Sequence, residues 1–206
     1  MSPLGKGEDA PLKSVTLPCL VIVSAPSGAG KTTLCARLLE DFPSIKLSIS
    51  STTRPPRGQE VHKKHYFFLT RPEFEAKIAA GGFAEWALVH NHYYGTSKET
   101  IETCFANNQN VLLDIDVQGS ASLRASYPTR NLSLFISPPD LPTLEARLRG
   151  RGTDSEETIL RRMKNAATEM NQAHLFDQLI VTDVFDVAYQ KLFSAVSKHI
   201  KAGSSG

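Results

Sequence analysis

Short apolar runs alternate with segments of helical periodicity along most of the chain. Strands are predicted from such runs at residues 20–24, 45–49, 111–116, 132–136 and 179–181. Between them, apolar residues recur at helical spacing, as in Leu34, Leu38 and Phe42. Strands separated by helices indicate an α/β fold, a parallel sheet flanked by helices, in which ligands bind beyond the carboxyl ends of the strands.

Two regions depart from this alternation. Residues 50–97 begin with a long polar stretch, 50–64, and are otherwise rich in predicted strands, at 65–69 and 83–89. Thr70 and Glu73 form a capping box that predicts a helix between those strands. Residues 147–165 are rich in arginine, and Glu156 completes a second predicted capping box, with Thr153, at the start of a helix. We expect both regions to be inserts that cover the ligand crevice.

Composition and charge exclude several classes of protein. The 206 residues are 41% hydrophobic and carry a net charge of +2, which is too mild to indicate nucleic-acid or membrane binding. Three cysteines without metal-ligand spacing are typical of a reducing compartment. Residues 1–17 lack the apolar stretch of a secretory signal. A cytoplasmic protein with a flexible N-terminal tail is therefore expected, without an obligate protein partner.

A glycine-rich turn follows the first strand and precedes the first helix. Its spacing is that of a P-loop, with Ala25 at the position of the first glycine. Gly28 and Gly30 let backbone N–H groups turn toward phosphate oxygens, Lys31 adds a positive charge, and the Thr32 hydroxyl is suited to Mg²⁺. The predicted ATP-binding residues are Ala25, Pro26, Ser27, Gly28, Ala29, Gly30, Lys31, Thr32 and Thr33.

Asp114 and Asp116 lie at the end of the predicted strand 111–116, two residues apart and therefore on one face. Carboxylates at this place are suited to Mg²⁺ or to donor groups of a ligand. The alternative is a pair of helix-capping aspartates. The sequence leaves open which of the two serves Mg²⁺, with Asp114 as the candidate.

Arginine pairs indicate further phosphate sites. Arg54 and Arg57 lie on a loop stiffened by two prolines, and paired guanidinium groups suit a phosphate, although such a pair can also be a solvated surface. Arg147 and Arg151 lie four apart on one helix face. The alternative for this second pair is a cationic helix terminus, which the helix dipole favours.

Five ordered motifs resemble the guanylate kinase family over residues 18–200. They are the P-loop; residues 50–57 (SSTTRPPR) with Glu60 and Tyr66; Glu85-Trp86 with Tyr93-Tyr94-Gly95-Thr96; residues 113–119 (LDIDVQG); and Arg147, residues 150–153 (GRGT) and Arg162. The resemblance implies a P-loop kinase that transfers the γ-phosphoryl group of MgATP to GMP, giving ADP and GDP in purine nucleotide metabolism.

The resemblance also implies residue roles. Catalysis is assigned to Lys31, Arg54, Arg147, Arg151 and Arg162, the last three as arginines of a lid. Guanine is assigned to Ser50, Glu85 and Thr96, with Thr96 as the donor to O6. The full set implied for GMP is Ser50, Arg54, Arg57, Glu60, Tyr66, Glu85, Tyr94, Thr96, Asp114 and Asp116.

The implied organisation has a kinase-like domain at residues 18–201, between an N-terminal tail, 1–17, and a C-terminal tail or cloning remnant, 202–206. The core comprises 18–49, 98–146 and 166–201, the GMP-binding insert 50–97, and the lid 147–165.

Two rival functions are a kinase-like binding module without catalysis and a kinase for AMP or TMP. Intact Lys31, Thr32 and the arginines argue against the first, and Glu85 with Thr96 against the second. Thr182 and Val184 stand where the family commonly has an Asn-Asp pair near the adenine, which leaves those contacts open.

Overall fold

The computed structural model describes residues 17–89, 91–150, 152 and 154–202 of the chain. Its strands are β1 (Leu20–Ser24), β2 (Ile45–Leu47), β3 (Ser51–Thr52), β4 (Phe67–Phe68), β5 (Phe83–Val89), β6 (His92–Ser97), β7 (Asn110–Asp114), β8 (Asn131–Ser137) and β9 (Gln178–Val181). Its α-helices are α1 (Lys31–Asp41), α2 (Arg71–Ala79), α3 (Lys98–Ala106), α4 (Val117–Ser126), α5 (Leu141–Gly150), α6 (Glu156–Met170) and α7 (Phe185–Ala202).

Five parallel strands form the central sheet, in the order β2-β7-β1-β8-β9. Every residue of β1 is buried, because helices cover both faces of the sheet. Val21 and Val23 pack with residues of α1 and α7, and Leu20 and Ile22 pack on the other face with residues of α3 and α4. The predicted α/β fold with a parallel sheet is confirmed.

A second, four-stranded sheet lies within residues 50–97, in the order β4-β3-β6-β5. The predicted capping box of Thr70 and Glu73 is present at the start of α2. Phe74 of this helix is fully buried and stacks on Phe83 and Tyr93, with ring centroids 4.3 and 5.2 Å apart. This aromatic stack holds α2 against the small sheet.

Several local predictions are wrong. The strand predicted at 45–49 stops at Leu47, which is exposed, and the polar stretch 50–64 contains β3. The strand predicted at 65–69 shortens to β4. The N-cap of α6 is Ser155, whose hydroxyl accepts from the Thr158 N–H, and not Thr153 as predicted. Thr153 itself lies outside the described residues.

The helices within the described ranges are too short or too polar to cross a bilayer.

Candidate active site

A cavity of about 430 Å³ lies beyond the carboxyl ends of β1 and β7. The glycine-rich loop between β1 and α1 forms one wall, and the small sheet forms the other. Its lining residues are Ala25, Pro26, Ser27, Gly28, Gly30, Lys31, Thr32, Thr33, Ser50, Tyr66, Glu85, Val89, Tyr94, Gly95, Asp114, Ile115, Asp116 and Glu169. Residues predicted for both substrates therefore border one space.

The glycine-rich loop has the backbone that its sequence predicts. Gly28 and Gly30 have φ angles of 99° and 94°, in the left-handed region that favours glycine. Gly30 is also the N-cap of α1, so the N-terminal end of that helix faces the cavity. A Cβ at Gly28 would lie 2.9 Å from the Leu148 side chain, because α5 packs against the loop. Free N–H groups at such a helix start form an anion site.

Lys31 is the first residue of α1, and its ammonium group is fixed by two partners. Its Nζ lies 2.6 Å from Asp114 Oδ1 and donates to the Ile115 carbonyl at 3.1 Å. The Lys31 side chain is 18% exposed and that of Asp114 is 33% exposed, so both retain access to the cavity. Asp114 at the end of β7 and the Ile115 carbonyl after it thus hold the Lys31 ammonium group in place.

The prediction that Asp114 and Asp116 share one face of a strand is wrong. Strand β7 ends at Asp114, and Asp116 is the N-cap of α4, where its Oδ1 accepts from the Gly119 N–H at 2.7 Å. The capping alternative therefore describes Asp116, and the side chain still borders the cavity. Asp114 instead pairs with Lys31.

Oxygen atoms that fit a divalent cation lie at the P-loop end. Thr32 is exposed and lines the cavity, and Asp114 presents a carboxylate nearby. No group of three or more His, Cys, Asp or Glu side chains that could hold a metal ion occurs among the described residues. A hydroxyl and one carboxylate fit Mg²⁺, which usually keeps waters and binds substrate phosphates, better than a cation that needs an all-protein cage.

Tyrosine side chains line the opposite wall. Tyr66 and Tyr94 have ring centroids 6.2 Å apart, and Ser50 lines the same cavity. Burial is the main cause of a raised pKa at Tyr66. The phenol therefore stays protonated at neutral pH and can donate a hydrogen bond to an anion.

Glu85 on β5 is a buried carboxyl group at the base of this wall. Only 8% of the residue is exposed, and burial raises its pKa from 4.5 to about 7 despite the hydrogen bond from Thr96. The Asp116 charge raises the pKa of Glu85 further. Thr96 Oγ1 donates to Glu85 Oε1 at 2.6 Å and is fully buried, which differs from the expectation that it donates to guanine.

Arg54 is also buried and is bound by its own loop. Its guanidinium donates to Glu60 Oε1 at 2.9 Å and to the Pro55 carbonyl at 2.8 Å, and it lies over the Tyr66 ring at 5.4 Å. The second Glu60 oxygen accepts from the backbone N–H of Arg57 at 2.8 Å. The hydrogen bond from Arg54 is the main cause of a lowered pKa at Glu60. Glu60 thus shapes the arginine loop, and the Arg57 side chain is exposed.

Two of the three predicted lid arginines, Arg147 and Arg162, are engaged away from the cavity lining. Arg147 Nη1 donates to Thr182 Oγ1 at 3.0 Å, and its Nη2 donates to the Thr182 carbonyl. Arg162 pairs with Asp154 at 2.9 Å. Arg151 lies outside the described residues.

Sequence reasoning missed Glu169, near the end of α6. Its carboxyl group lines the cavity, burial raises its pKa, and the Lys31 charge opposes that rise. A spacing signal existed, because Glu169 follows Arg162 by two helical turns and shares its face of the helix. That signal was lost among the other acidic residues of the segment.

Comparisons with known proteins agree over nearly the whole described chain. A family model described as guanylate kinase matches residues 18–199. A guanylate kinase of Geobacter metallireducens is 45% identical over 177 residues, covering 86% of this chain and 87% of its own. One of Idiomarina loihiensis is 50% identical over 169 residues, covering 81% and 80%. The crystal structure of guanylate kinase from Anaplasma phagocytophilum is 27% identical, covers 93% of this chain and 88% of its own, and superposes with a TM-score of 0.72.

Proposed function

Because this chain belongs to the guanylate kinase family, it is an ATP:GMP phosphotransferase, and we propose which residues hold each substrate. The observation that carries the assignment is the single cavity bordered by a P-loop on one side and by Tyr66, Tyr94 and Glu85 on the other. ATP binds at the P-loop end and GMP at the other, so that the two phosphate groups meet between them.

The donor end holds the triphosphate of ATP through backbone and charge. The left-handed glycines, Gly28 and Gly30, and the start of α1 support this role, because a turn of this kind and a helix start present N–H groups to an anion. Lys31 neutralises the β- and γ-phosphates, and its bond to Asp114 fixes where the ammonium group lies. Thr32 would hold Mg²⁺, with Asp114 as a second candidate ligand. When bound with ATP, Mg²⁺ supplies charge neutralisation at the transferring phosphoryl group.

The acceptor end holds the phosphate of GMP. Arg54, Arg57, Tyr66 and Tyr94 supply donors, since arginine binds phosphate oxygens bidentately and a protonated phenol donates one more hydrogen bond. Arg54 is pre-positioned by Glu60, and its place over the Tyr66 ring supports a shared phosphate site. Phosphate binding at Arg54 would use the N–H groups that Glu60 and Pro55 leave free.

Glu85 and Ser50 hold the guanine base. Guanine presents N1–H and a 2-amino group on one edge, and a carboxylate accepts from both. Adenine presents a lone pair at N1 and would face Glu85 with an acceptor. Burial strengthens this discrimination, because an unpaired polar group in a poorly hydrated pocket is costly. Thr96 acts here by orienting the Glu85 carboxylate rather than by donating to O6.

The reaction needs no protein nucleophile. The second pKa of a monophosphate is about 6, so GMP is largely a dianion at neutral pH. An oxygen of that phosphate attacks the γ-phosphorus of ATP, and the bond from the γ-phosphorus to the oxygen bridging to the β-phosphate breaks. The products are GDP and ADP. The protein aligns two anions, neutralises their charge and excludes water.

Closure of the lid, residues 147–165, brings its arginines to the phosphates. Arg147 and Arg162 are held by Thr182 and Asp154 in this structure, so each exchanges its present partner for phosphate oxygens on closure. Arg151 is assigned to the same group by its spacing from Arg147. The GMP-binding insert, residues 50–97, closes from the other side over the core. The cytoplasmic location and the lack of an obligate protein partner stay predictions.

A coupled assay of ADP release with GMP, AMP and TMP as acceptors tests the assignment. The expected result is turnover with GMP and a kcat/KM for AMP and TMP at least ~10²-fold lower. These bases lack the pair of hydrogen-bond donors that guanine offers to the buried Glu85 carboxylate. Equal use of AMP or TMP would contradict the guanine site. GMP binding without ADP release would support the binding module instead.

A further inference from the structure

A glycine in α4 lies directly against the buried carboxylate of Glu85. Gly119 is the third residue of the helix, and its N–H donates to the Asp116 cap. A Cβ built at Gly119 would lie 2.7 Å from Glu85 Oε2, 3.1 Å from its Cδ and 3.5 Å from Asp116 Oδ1. A real Cβ does not approach an oxygen so closely.

The helix itself gives no reason for glycine here. The φ of Gly119 is outside the left-handed region, unlike that of Gly28 or Gly30. Alanine is the more favourable residue in a helix, because glycine loses more conformational freedom on folding. The reason for glycine is therefore the space that it leaves for the Glu85 side chain.

Glu85 cannot give way without losing its position. Its other oxygen, Oε1, accepts from the fully buried Thr96 hydroxyl at 2.6 Å. A Cβ at Gly119 would collide with the carboxylate end of the Glu85 side chain. That end can rotate, and the backbone of β5 can stay in place. An added methyl group is therefore expected to move the carboxylate and leave the fold intact.

We propose that Gly119 determines acceptor-base specificity by leaving the space in which the Glu85 carboxylate points toward guanine. It is a positioning residue, since it acts through Glu85 and does not itself line the cavity. This inference rests on the proposed role of Glu85 in GMP binding. The geometric part, contact between the two residues, can be tested without any substrate.

The kinetic test compares Gly119→Ala with Ser122→Ala, a control at an exposed position of the same helix. We expect Gly119→Ala to raise the KM for GMP at least tenfold, with KM for ATP within twofold of wild type. The control should change neither constant. An unchanged KM for GMP in Gly119→Ala would overturn the proposal.

The stability test is a double-mutant cycle of Gly119→Ala with Glu85→Ala, read as thermal midpoints. Gly119→Ala should raise Tm when Glu85 is absent, because alanine favours the helix, and should lower Tm or leave it unchanged when Glu85 is present. Folding of the double variant but not of Gly119→Ala would support the clash in the same way. Equal Tm changes in both backgrounds, or failure of both to fold, would overturn it.

The two tests also separate this inference from the assignment on which it rests. If Glu85→Gln weakens GMP use and Gly119→Ala does not, the role of Gly119 alone is wrong. If wild-type protein uses AMP as well as GMP while the Tm cycle shows coupling, the contact stands and the guanine assignment is wrong. In that case the proposed specificity role also falls.

Discussion

The two ends of the active-site cavity are built in opposite ways. The proposed donor end is one continuous stretch, residues 25–33, and its proposed chemistry resides in backbone N–H groups and in Lys31. The proposed acceptor-base end gathers Glu85 from β5, Tyr94 from β6 and Ser50 from the residue before β3. The first depends on local backbone conformation. The second depends on side-chain packing, so a methyl group added at Gly119 would disturb it through a side-chain contact rather than through backbone strain.

The difference also appears in how each charge is held. Lys31 meets an opposite charge at 2.6 Å and stays partly accessible. Glu85 is buried beside the like charge of Asp116, and the hydrogen bonds that it accepts come from the neutral hydroxyl and the backbone of Thr96. The donor end is therefore charged in advance of its ligand, whereas the base end carries a carboxyl group whose ionisation is costly until guanine supplies two donors.

The largest effect is expected at the donor end. Lys31→Ala removes the positive charge that neutralises the transferring phosphate. It should lower kcat by at least ~10³-fold, which is a rise of about 4 kcal/mol in the activation free energy. The fold should survive, because Asp114 is left partly exposed. Coupled ADP release measures kcat, and circular dichroism checks the fold. Lys46→Ala, at an exposed position of β2, is the control. Near-normal kcat in folded Lys31→Ala would disprove the donor assignment.

The next effect is expected at the base end. Glu85→Gln keeps the shape but removes the charge and places an amide donor against guanine, so kcat/KM for GMP should fall about 10²-fold, or ~3 kcal/mol. The KM for ATP should change little, since the P-loop is a separate site. Initial rates at varied GMP and ATP measure both, with Glu40→Gln on the exposed side of α1 as control. A kinetically silent Glu85→Gln is the contrary outcome.

A pH profile sharpens the comparison further. With a pKa of about 7 in the free protein, Glu85 is ionised at pH 8 and mostly protonated at pH 6. The ratio of kcat/KM for GMP in wild type to that in Glu85→Gln should therefore rise about tenfold from pH 6 to pH 8. Taking the ratio cancels the ionisation of GMP itself. A flat ratio would show that the carboxylate form is not what binds GMP.

The same raised pKa predicts a pH dependence of stability. The folded-state pKa of Glu85 lies above the ordinary value of 4.5. Its contribution to the free energy of unfolding is therefore fully present below pH 4.5 and is lost as pH rises through about 7. Urea unfolding of wild type relative to Glu85→Gln should show this loss. An opposite slope would mean that Glu85 is stabilised as a carboxylate in the free protein.

The smallest effect is expected where the donor end meets the lid. The Thr182 hydroxyl shares its one proton between the Ala29 carbonyl at 2.9 Å and the Ser137 carbonyl at 3.1 Å, and its Oγ1 accepts from Arg147 Nη1 at 3.0 Å. Thr182→Val keeps the volume but leaves these groups short of a partner, so the free energy of unfolding should fall by about 1–2 kcal/mol. Urea unfolding measures this free energy, with Thr168→Val at an exposed position of α6 as control. Equal stability of the two variants would mean that the Thr182 hydroxyl contributes nothing.

Prediction from sequence succeeded where the signal is local. The capping box at Thr70 needs four consecutive residues, and α2 begins where it predicts. It failed where a residue had two local uses. Asp116 could continue a strand or cap a helix, and only the end of β7 at Asp114 decides for the cap. Glu156 could complete a capping box, but it pairs with Arg149 while Ser155 caps α6.

The sequence by itself determined the parallel sheet, the P-loop and the arginines and carboxyl groups available for two substrates, because periodicity and motif spacing act between neighbours in the chain. Only the tertiary structure decided their partners. Thr96 donates to Glu85, and Arg147 donates to Thr182. Glu169 borders the cavity, and Gly119 leaves room for the carboxylate of Glu85, which lies 34 positions earlier in the chain. Such contacts depend on how strands and helices pack across the sheet, and no local pattern records a distance between residues so far apart in sequence.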